Sequence, residues 1–375
     1  MKKILVIAPY SYLPYFSGGQ KTIANFLEYL GNESDVTVIS TQKNDLSAAR
    51  GYQLKRWLVN PFWRYLDVRL YFKIGKLLRT SRFDCIIWIH PYFFWLSRLI
   101  QKKYGLYTIV HSHNIEFQRF RSTGKWWWRL LRTYEGKCLQ SADFNYFISP
   151  ADQAEGIQEW SLDPKKCDVL PLGISADQYP TDRASCQQRI RQRHNIPDDT
   201  HILLFNGLLD YLPNRQALDD LLEHINPLLY EQTLFRYRLI ICGKNLPLNY
   251  RELTEYQKQH VIYAGFVEDI DSYFKAADVF LNPVLSGGGI KTKMVEAIGL
   301  GTTVVSTQTG ATGMIPEFCG KKLITVKDHD WKEFAAQVIE QVKEKSITPD
   351  LYYKQYFWGN IVKKITRLLT DQSAG

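Results

Sequence analysis

The sequence predicts an α/β protein built from two doubly wound domains that face each other across a cleft. Three observations carry this. Short, nearly continuous apolar runs alternate with helical patterns, the alternation occurs twice, and 375 residues at 45% hydrophobic content suffice for two cores. Strands of such uniform apolarity are buried on both faces, as in parallel sheets covered by helices.

Taken in order, the first half offers runs at 3–9 (KILVIAP), 35–41 (DVTVIST), 84–90 (DCIIWIH), 107–112 (YTIVHS) and 143–149 (DFNYFIS), with helical spacing between them, as in QKTIANFLEYL at 20–30. The second half repeats the scheme at 201–207, 237–243, 260–266, 278–284, 302–308 and 322–328. Each half therefore reads as a Rossmann-like domain. The boundary is expected near Pro171-Leu172-Gly173, giving domains of 1–172 and 173–355. Lys2-Lys3 before ILVIAPY superficially resembles a signal peptide, but Tyr, Pro and Gly follow instead of a small-residue cleavage site, so a buried first strand is expected. No span of about 18 apolar residues occurs, and no transmembrane helix is expected. The six cysteines are scattered without a Cys-x-x-Cys pair, which suits unpaired thiols in a reducing cytosol.

Ligands of doubly wound sheets lie beyond the carboxyl ends of the strands. Gly18-Gly19, His111 to Glu116, Gly207, Gly243 and Gly287-Gly288-Gly289 all fall at that edge. The most informative stretch is 278–299, DVFLNPVLSGGGIKTKMVEAIG. A glycine-rich turn into a helix lets a ligand approach the backbone and aims the free amides of the first turn at an anion. Lys291 and Lys293 add cationic side chains, and Glu296 adds an acceptor for sugar hydroxyls. Phosphate donors beside a hydroxyl acceptor suit a nucleotide or nucleotide-sugar. The competing reading is a tight turn with solvated lysines.

Charge is uneven. Residues 50–137 hold 18 basic and four acidic residues together with 21 aromatics. The region 57–79 reads as an amphipathic helix after Pro61, with Trp63, Leu66, Leu70, Ile74 and Leu77 on one stripe and Arg69, Lys73 and Lys76 on another. Lys125, Arg129 and Arg132 form a second basic stripe beside Trp126, Trp127 and Trp128. Basic residues beside tryptophans suit peripheral contact with an anionic membrane. The alternative is a helix packed on its own sheet with a solvated basic side. No nucleic-acid recognition motif accompanies the charge, and no nucleic-acid partner is expected.

The ordered stretches SGGQKTIANFLEYL (17–30), HSHNIE (111–116), SADFNYFISPAD (141–152), DVLPLGI (168–174), FNGLLDYLPNRQAL (205–218), LIICGKN (239–245), 261–298, TTVVSTQTGATGM (302–314) and YFWGNIVKKITRLL (356–369) resemble the retaining glycosyltransferases of the GT-B fold, family 4. The resemblance spans essentially the whole chain. It implies an N-terminal acceptor domain, with a last helix in 356–375 returning to it, and a C-terminal nucleotide-sugar domain. It implies transfer of a sugar from a nucleotide-sugar donor to a glycan or lipid-linked acceptor, with no metal cofactor, on the cytoplasmic side of the membrane. Glu296 matches the second glutamate of the family's Glu-x7-Glu motif, the ribose binder. The first falls at Gly288, so the chain is closer to a subgroup reading Gly-x-Gly-x-Arg/Lys-x-Lys, in which amides of Gly288 to Ile290 contact the sugar or phosphate. Leu208 stands at the family's arginine position and Arg215 matches its lysine. His113 matches the family's strand-end histidine, with His111 as the neighbouring alternative on the same side of the strand. Either is also compatible with a structural role. Glu116 is expected to orient His113 or to cap the next helix. Asp269-Ile270-Asp271 opens a helix, so capping is its expected job rather than metal binding. Two other readings stay open: a GT-B nucleotide-sugar epimerase, for which the expected extra carboxylates are not found, and a non-catalytic nucleotide-sugar-binding protein.

Overall fold

The computed structural model describes residues 1–122, 124–287 and 289–374. The chain divides into two compact units, Met1–Ser175 with Trp358–Gly375, and Ala176–Phe357.

The first unit is a seven-stranded parallel sheet in the order β3-β2-β1-β4-β5-β6-β7, made of β1 (Lys3–Ile7), β2 (Asp35–Thr41), β3 (Gln53–Leu58), β4 (Cys85–Ile89), β5 (Tyr107–Ser112), β6 (Phe144–Phe147) and β7 (Cys167–Val169). Its helices are α1 (Gly18–Glu33), α2 (Arg69–Thr80), α3 (Phe94–Tyr104), α4 (Glu116–Ser122), α5 (Trp128–Ser141) and α6 (Pro150–Trp160). Strand order reverses between β1 and β4, the place where doubly wound sheets open a ligand crevice. Side chains of β1 alternate between two core layers. Ile4 and Val6 meet α1, and Leu5 and Ile7 meet the layer of Leu70, Ile74, Leu96 and Ile100.

The second unit is a six-stranded parallel sheet, β10-β9-β8-β11-β12-β13, from β8 (His201–Asn206), β9 (Tyr237–Cys242), β10 (Val261–Gly265), β11 (Val279–Asn282), β12 (Thr303–Thr307) and β13 (Leu323–Val326). It carries α7 (Arg183–His194), α8 (Leu212–Asp220), α9 (Asn226–Tyr230), α10 (Ile270–Ala276), α11 (Thr292–Gly299), α12 (Pro316–Cys319), α13 (Trp331–Gln341) and α14 (Asp350–Tyr356). Here the order reverses between β8 and β11.

After a break at Phe357 (φ −71°, ψ 126°), α15 (Trp358–Ala374) belongs to the first unit. Trp358, Ile361, Val362, Ile365 and Leu369 enter the core layer of α1 and β1.

One element differs from expectation. The region 57–79 is not a single helix: Trp57 and Leu58 end β3, Phe62–Tyr65 is a 3-10 turn, and α2 begins only at Arg69. Asn60-Pro61 forces extended backbone before the turn, and Asp67 holds Arg69 in a bidentate pair at the start of α2. Trp63 and Leu66, expected on the apolar stripe, are exposed, whereas Leu70 and Ile74 are buried.

Candidate functional site

In the second unit, β8 ends at Asn206 and Gly207, and β11 leads through residues 283–290 into α11. The turn requires left-handed backbone at Gly287 (φ +90°) and Gly289 (φ +68°), a conformation other residues avoid. Gly288 lies outside the described residues. The turn is held from beneath. Asn282 is fully buried and donates to Ser306 Oγ (2.9 Å), and Thr307 Oγ1 donates to the Val284 carbonyl. Ile290 buries its side chain, leaving its backbone as the available contact.

Lys291 is the N-cap of α11 and folds back onto the carbonyls of Gly287 (2.7 Å) and Gly289 (3.0 Å). Lys293 lies in the first turn, and its Nζ crosses to the Asn206 carbonyl (3.2 Å) and Asn214 Oδ1 (3.1 Å), 4.9 Å from the Phe205 ring centroid. This ammonium therefore spans the point where the strand order reverses. Its hydrogen-bond partners are neutral oxygens. Burial, aided by the charge of Lys291, pulls the Lys293 pKa down to about 7, and burial alone takes Lys291 to about 8. Glu296 is half-buried one turn further along α11. Arg215 sits half-buried in the first turn of α8, beside the Asn214 that holds Lys293.

Gly207 and Gly243 have packing reasons to be glycine. A Cβ on Gly243 would collide with the Gly207 carbonyl oxygen, and one on Gly207 would lie 2.6 Å from Asn214 Nδ2. Asp269 accepts from the Ser272 amide (3.1 Å) and caps α10, as its position in Asp-x-Asp predicts. Among the described residues no group of three or more His, Cys, Asp or Glu is placed to hold a metal ion.

In the first unit, the corresponding edge gathers three imidazoles. His90, just after β4, has φ +66°, rare for a non-glycine residue and a mark of a constrained position. Its ring lies 4.8 Å from that of His113, which lies 4.5 Å from that of His111. Strand alternation does place His111 and His113 together. Burial and neighbouring imidazoles pull His111 down to about 3 and His113 well below the ordinary histidine value, so both are neutral at pH 7. His113 Nε2 is buried and has no hydrogen-bond partner among the described residues. It can exchange hydrogen bonds with a hydroxyl but carries no charge.

The expectation for Glu116 needs correction. It neither contacts His113 nor caps a helix. Its fully buried carboxylate lies 2.9 Å from His90 Nδ1, accepts from Tyr92 Oη (2.6 Å), and pairs with Arg119 Nη2 (2.6 Å). Burial opposes ionisation, but His90, Arg119 and Tyr92 outweigh it and hold the Glu116 pKa at about 2. Tyr92 also stacks on His90 (5.4 Å, 7°). The cap of α4 is Glu135 instead, which accepts the amides of Glu116 and Phe117 (2.9 Å each). Gly18 and Gly19 open α1 behind the Ser17 cap, and a Cβ on Gly19 would meet nothing within 4 Å.

Arg69, Lys73, Lys76, Trp126 and Arg129 are exposed. Trp127 and Trp128 are half-buried: Trp128 stacks on Phe117 with the Arg121 and Arg129 guanidinium groups over its ring, and Trp127 rests on Phe120.

Two parallel sheets in Rossmann order, each with its reversal point furnished by polar side chains, define the GT-B class of glycosyltransferase. The chain belongs to the group 1/family 4 glycosyltransferases. Residues 16–178 match the model of Glycosyltransferase Family 4, and residues 200–344 match that of Glycosyl transferases group 1. It is 22% identical over 340 residues to an Escherichia coli UDP-Gal:alpha-D-GlcNAc-diphosphoundecaprenol alpha-1,3-galactosyltransferase, covering 86% of this chain and 85% of that protein. Its fold is similar to that of a glycosyltransferase from Rickettsia africae (TM-score 0.75, 13% identity, 99% of this chain and 98% of the other). It is also similar to HepE of Anabaena crystallised with UDP and glucose (TM-score 0.70, 14% identity, 99% and 100% covered).

Proposed function

We propose that the protein is a retaining glycosyltransferase that moves a hexose from a UDP-sugar to a lipid-linked glycan acceptor. The observation that carries this reading is Lys293, a half-buried lysine whose ammonium rests on neutral oxygens at the reversal point of the second sheet. Such a group is suited to an incoming diphosphate. The E. coli relative uses UDP-Gal and an undecaprenol-linked acceptor, and the Anabaena neighbour was crystallised with UDP-glucose, which supports a uridine donor.

In this reading the donor's ribose is held by Glu296, and its diphosphate by Lys291, Lys293, Arg215 and the amides of Gly289 and Ile290. As the bond to the anomeric carbon breaks, negative charge grows on the departing diphosphate. Cations already in place stabilise it without reorganising at that moment. His113, neutral and with an unpartnered nitrogen, is suited to a sugar hydroxyl at the strand edge of the first unit, where the open space at Gly19 also admits a ligand close to the backbone. Retention then follows from attack on the same face the diphosphate leaves, with no covalent enzyme intermediate. The lysines do the neutralising that a metal performs elsewhere, so no cofactor is required. The six buried free cysteines are in keeping with a cytoplasmic setting.

A thermal-shift screen of UDP-, GDP- and ADP-sugars tests the donor. A ligand at 100 times its dissociation constant contributes about 2.7 kcal/mol to apparent stability, and UDP-sugars should give that shift. Product analysis should show free UDP and a new glycosidic bond of unchanged anomeric configuration. Stabilisation by no nucleotide-sugar, or turnover intact in both Lys293→Ala and Glu296→Ala, overturns the site.

A further inference from the structure

The outer surface of the first unit exposes apolar groups that a folded domain normally hides. Phe62 (60%), Trp63 (62%), Leu66 (58%), Val68 (61%) and Phe72 (69%) are solvent-facing in one short segment. Trp126 (83%) and Leu130 (68%) are likewise exposed at the start of α5. These two segments belong to one face. Helix α3 packs against both α2 and α5, Trp95 Nε1 donates to the Tyr65 carbonyl (2.7 Å), and Tyr134 Oη donates to the Tyr92 carbonyl (3.0 Å). All three helices bury their inner residues in the same core layer, through Leu70, Leu96 and Leu139. Their outer sides therefore look away from the same side of the sheet.

That face is also basic; within residues 50–137 few acids oppose its charge, and on the neighbouring α6 Glu159 pairs with Arg132. Lys73, Lys76, Lys102 and Arg129 are exposed on it. Of the four acids in residues 50–137, Glu116 and Glu135 are buried, Asp67 is bound to Arg69, and Asp84 is bound to Lys2 and the Lys3 amide. Exposed aromatic tips interleaved with lysines match the boundary of an anionic bilayer: rings seat among headgroups while the cations meet lipid phosphates.

We propose that the face formed by residues 62–76 and 126–130 docks the protein on an anionic lipid bilayer. The occupant is the lipid surface itself, chosen on charge complementarity and on aromatic exposure too great for a solvated helix. Trp63 and Leu66 act here in a way their sequence spacing concealed, because the 3-10 turn before α2 directs them outward. Docking of this kind deepens the lipid-linked acceptor reading, since such an acceptor is met in the plane of a membrane, but bilayer binding can be measured without substrate.

The test is flotation of the full-length protein with vesicles of phosphatidylcholine alone or mixed with phosphatidylglycerol. The protein should float with the anionic vesicles, far less with the neutral ones, and less as salt is raised. Trp63→Ala with Phe72→Ala, and Lys73→Glu with Lys76→Glu, should each reduce partitioning about tenfold or more. Lys332→Glu, on the second unit, should leave it unchanged. The substituted side chains are exposed, so unfolding midpoints should be preserved. Both double variants should also keep the UDP-sugar thermal shift, which separates failure of this face from failure of the donor site. Wild-type protein that stays down with anionic vesicles, or double variants that float like wild type, overturns the proposal. So does a result in which the variants only convert a dimer to a monomer on size exclusion, which makes the face a contact between copies.

Discussion

A lysine ammonium desolvated against carbonyls is a stability cost that a bound anion relieves. The Lys293 pKa is about 7 in the folded protein, against 10.5 for the free side chain. Below about pH 7 it is charged in both folded and unfolded chains, and the full desolvation penalty is present. From there toward 10.5 the unfolded chain binds more protons, so stability rises with pH. Lys293→Met should therefore raise the ligand-free stability at pH 7 by about 1–2 kcal/mol, read as a higher urea midpoint, and flatten its rise toward pH 9. The same variant should lower transfer roughly a hundredfold or more. Glu116 has the opposite sign. Its depressed carboxyl, at about 2 against 4.5, contributes stability above pH 4.5 that is lost as pH falls toward 2. Glu116→Gln should cost about 1–3 kcal/mol at pH 7 and much less near pH 2.5, as measured by urea unfolding at the two pH values. Lys291, Lys293 and Glu296 were legible in sequence because they lie within six residues at the start of α11, next to the glycine-rich turn. His90 was not: in CIIWIHP it reads as the tail of an apolar run, and nothing in the spacing links it to Glu116. Asn214 was equally silent, since it reaches Lys293 only once β8 and β11 are neighbours.

At the scale of elements, long apolar runs identify themselves and edges do not. Eleven of the thirteen strands among the described residues coincide with such runs. The two that escaped are β3, whose QLKRWL is mixed because only Leu58 is buried, and the three-residue β7. The stretch 57–79 misled for a related reason. Its helical spacing is genuine from Arg69 onward, but the part before it continues the pattern across Pro61 into a turn that buries none of its side chains. Close backbone packing also leaves a weak trace. The turns after β8 and β9 approach so tightly that Gly243 has no room for a methyl group beside the Gly207 carbonyl. Gly243→Ala should shift that backbone and destabilise the protein by about 1–3 kcal/mol, read as a lower urea midpoint with an unchanged slope. Gly19→Ala, which meets no neighbour, should leave stability within about 0.5 kcal/mol; if transfer falls in that variant, close approach of a ligand is the reason for the glycine.

At the scale of the whole molecule, the chain leaves the first unit at Ser175 and returns to it at Trp358. The first unit's core is therefore incomplete until Trp358 to Leu369 are in place. Helix α15 supplies Trp358, Ile361, Val362, Ile365 and Leu369 to the layer shared by β1 and α1, and Trp358 is seated so closely on Gly173 that a Cβ there would strike its indole. Burying each such side chain contributes about 1.5–3 kcal/mol, so their sum rivals the roughly 5–15 kcal/mol that holds a domain folded. The second unit draws on none of these residues, because its core of Leu203, Phe205, Leu239, Ile241, Val279 and Leu281 lies wholly within 176–357. Termination after Phe357 should accordingly remove the first unit's unfolding transition in calorimetry and open residues 1–175 to proteolysis. The second unit's transition should persist, and UDP-sugar should still raise it, while transfer is lost. A truncated chain that keeps both transitions shows that α15 only covers a core already complete. One that loses both shows that the second unit does not stand without the first, however self-contained its core.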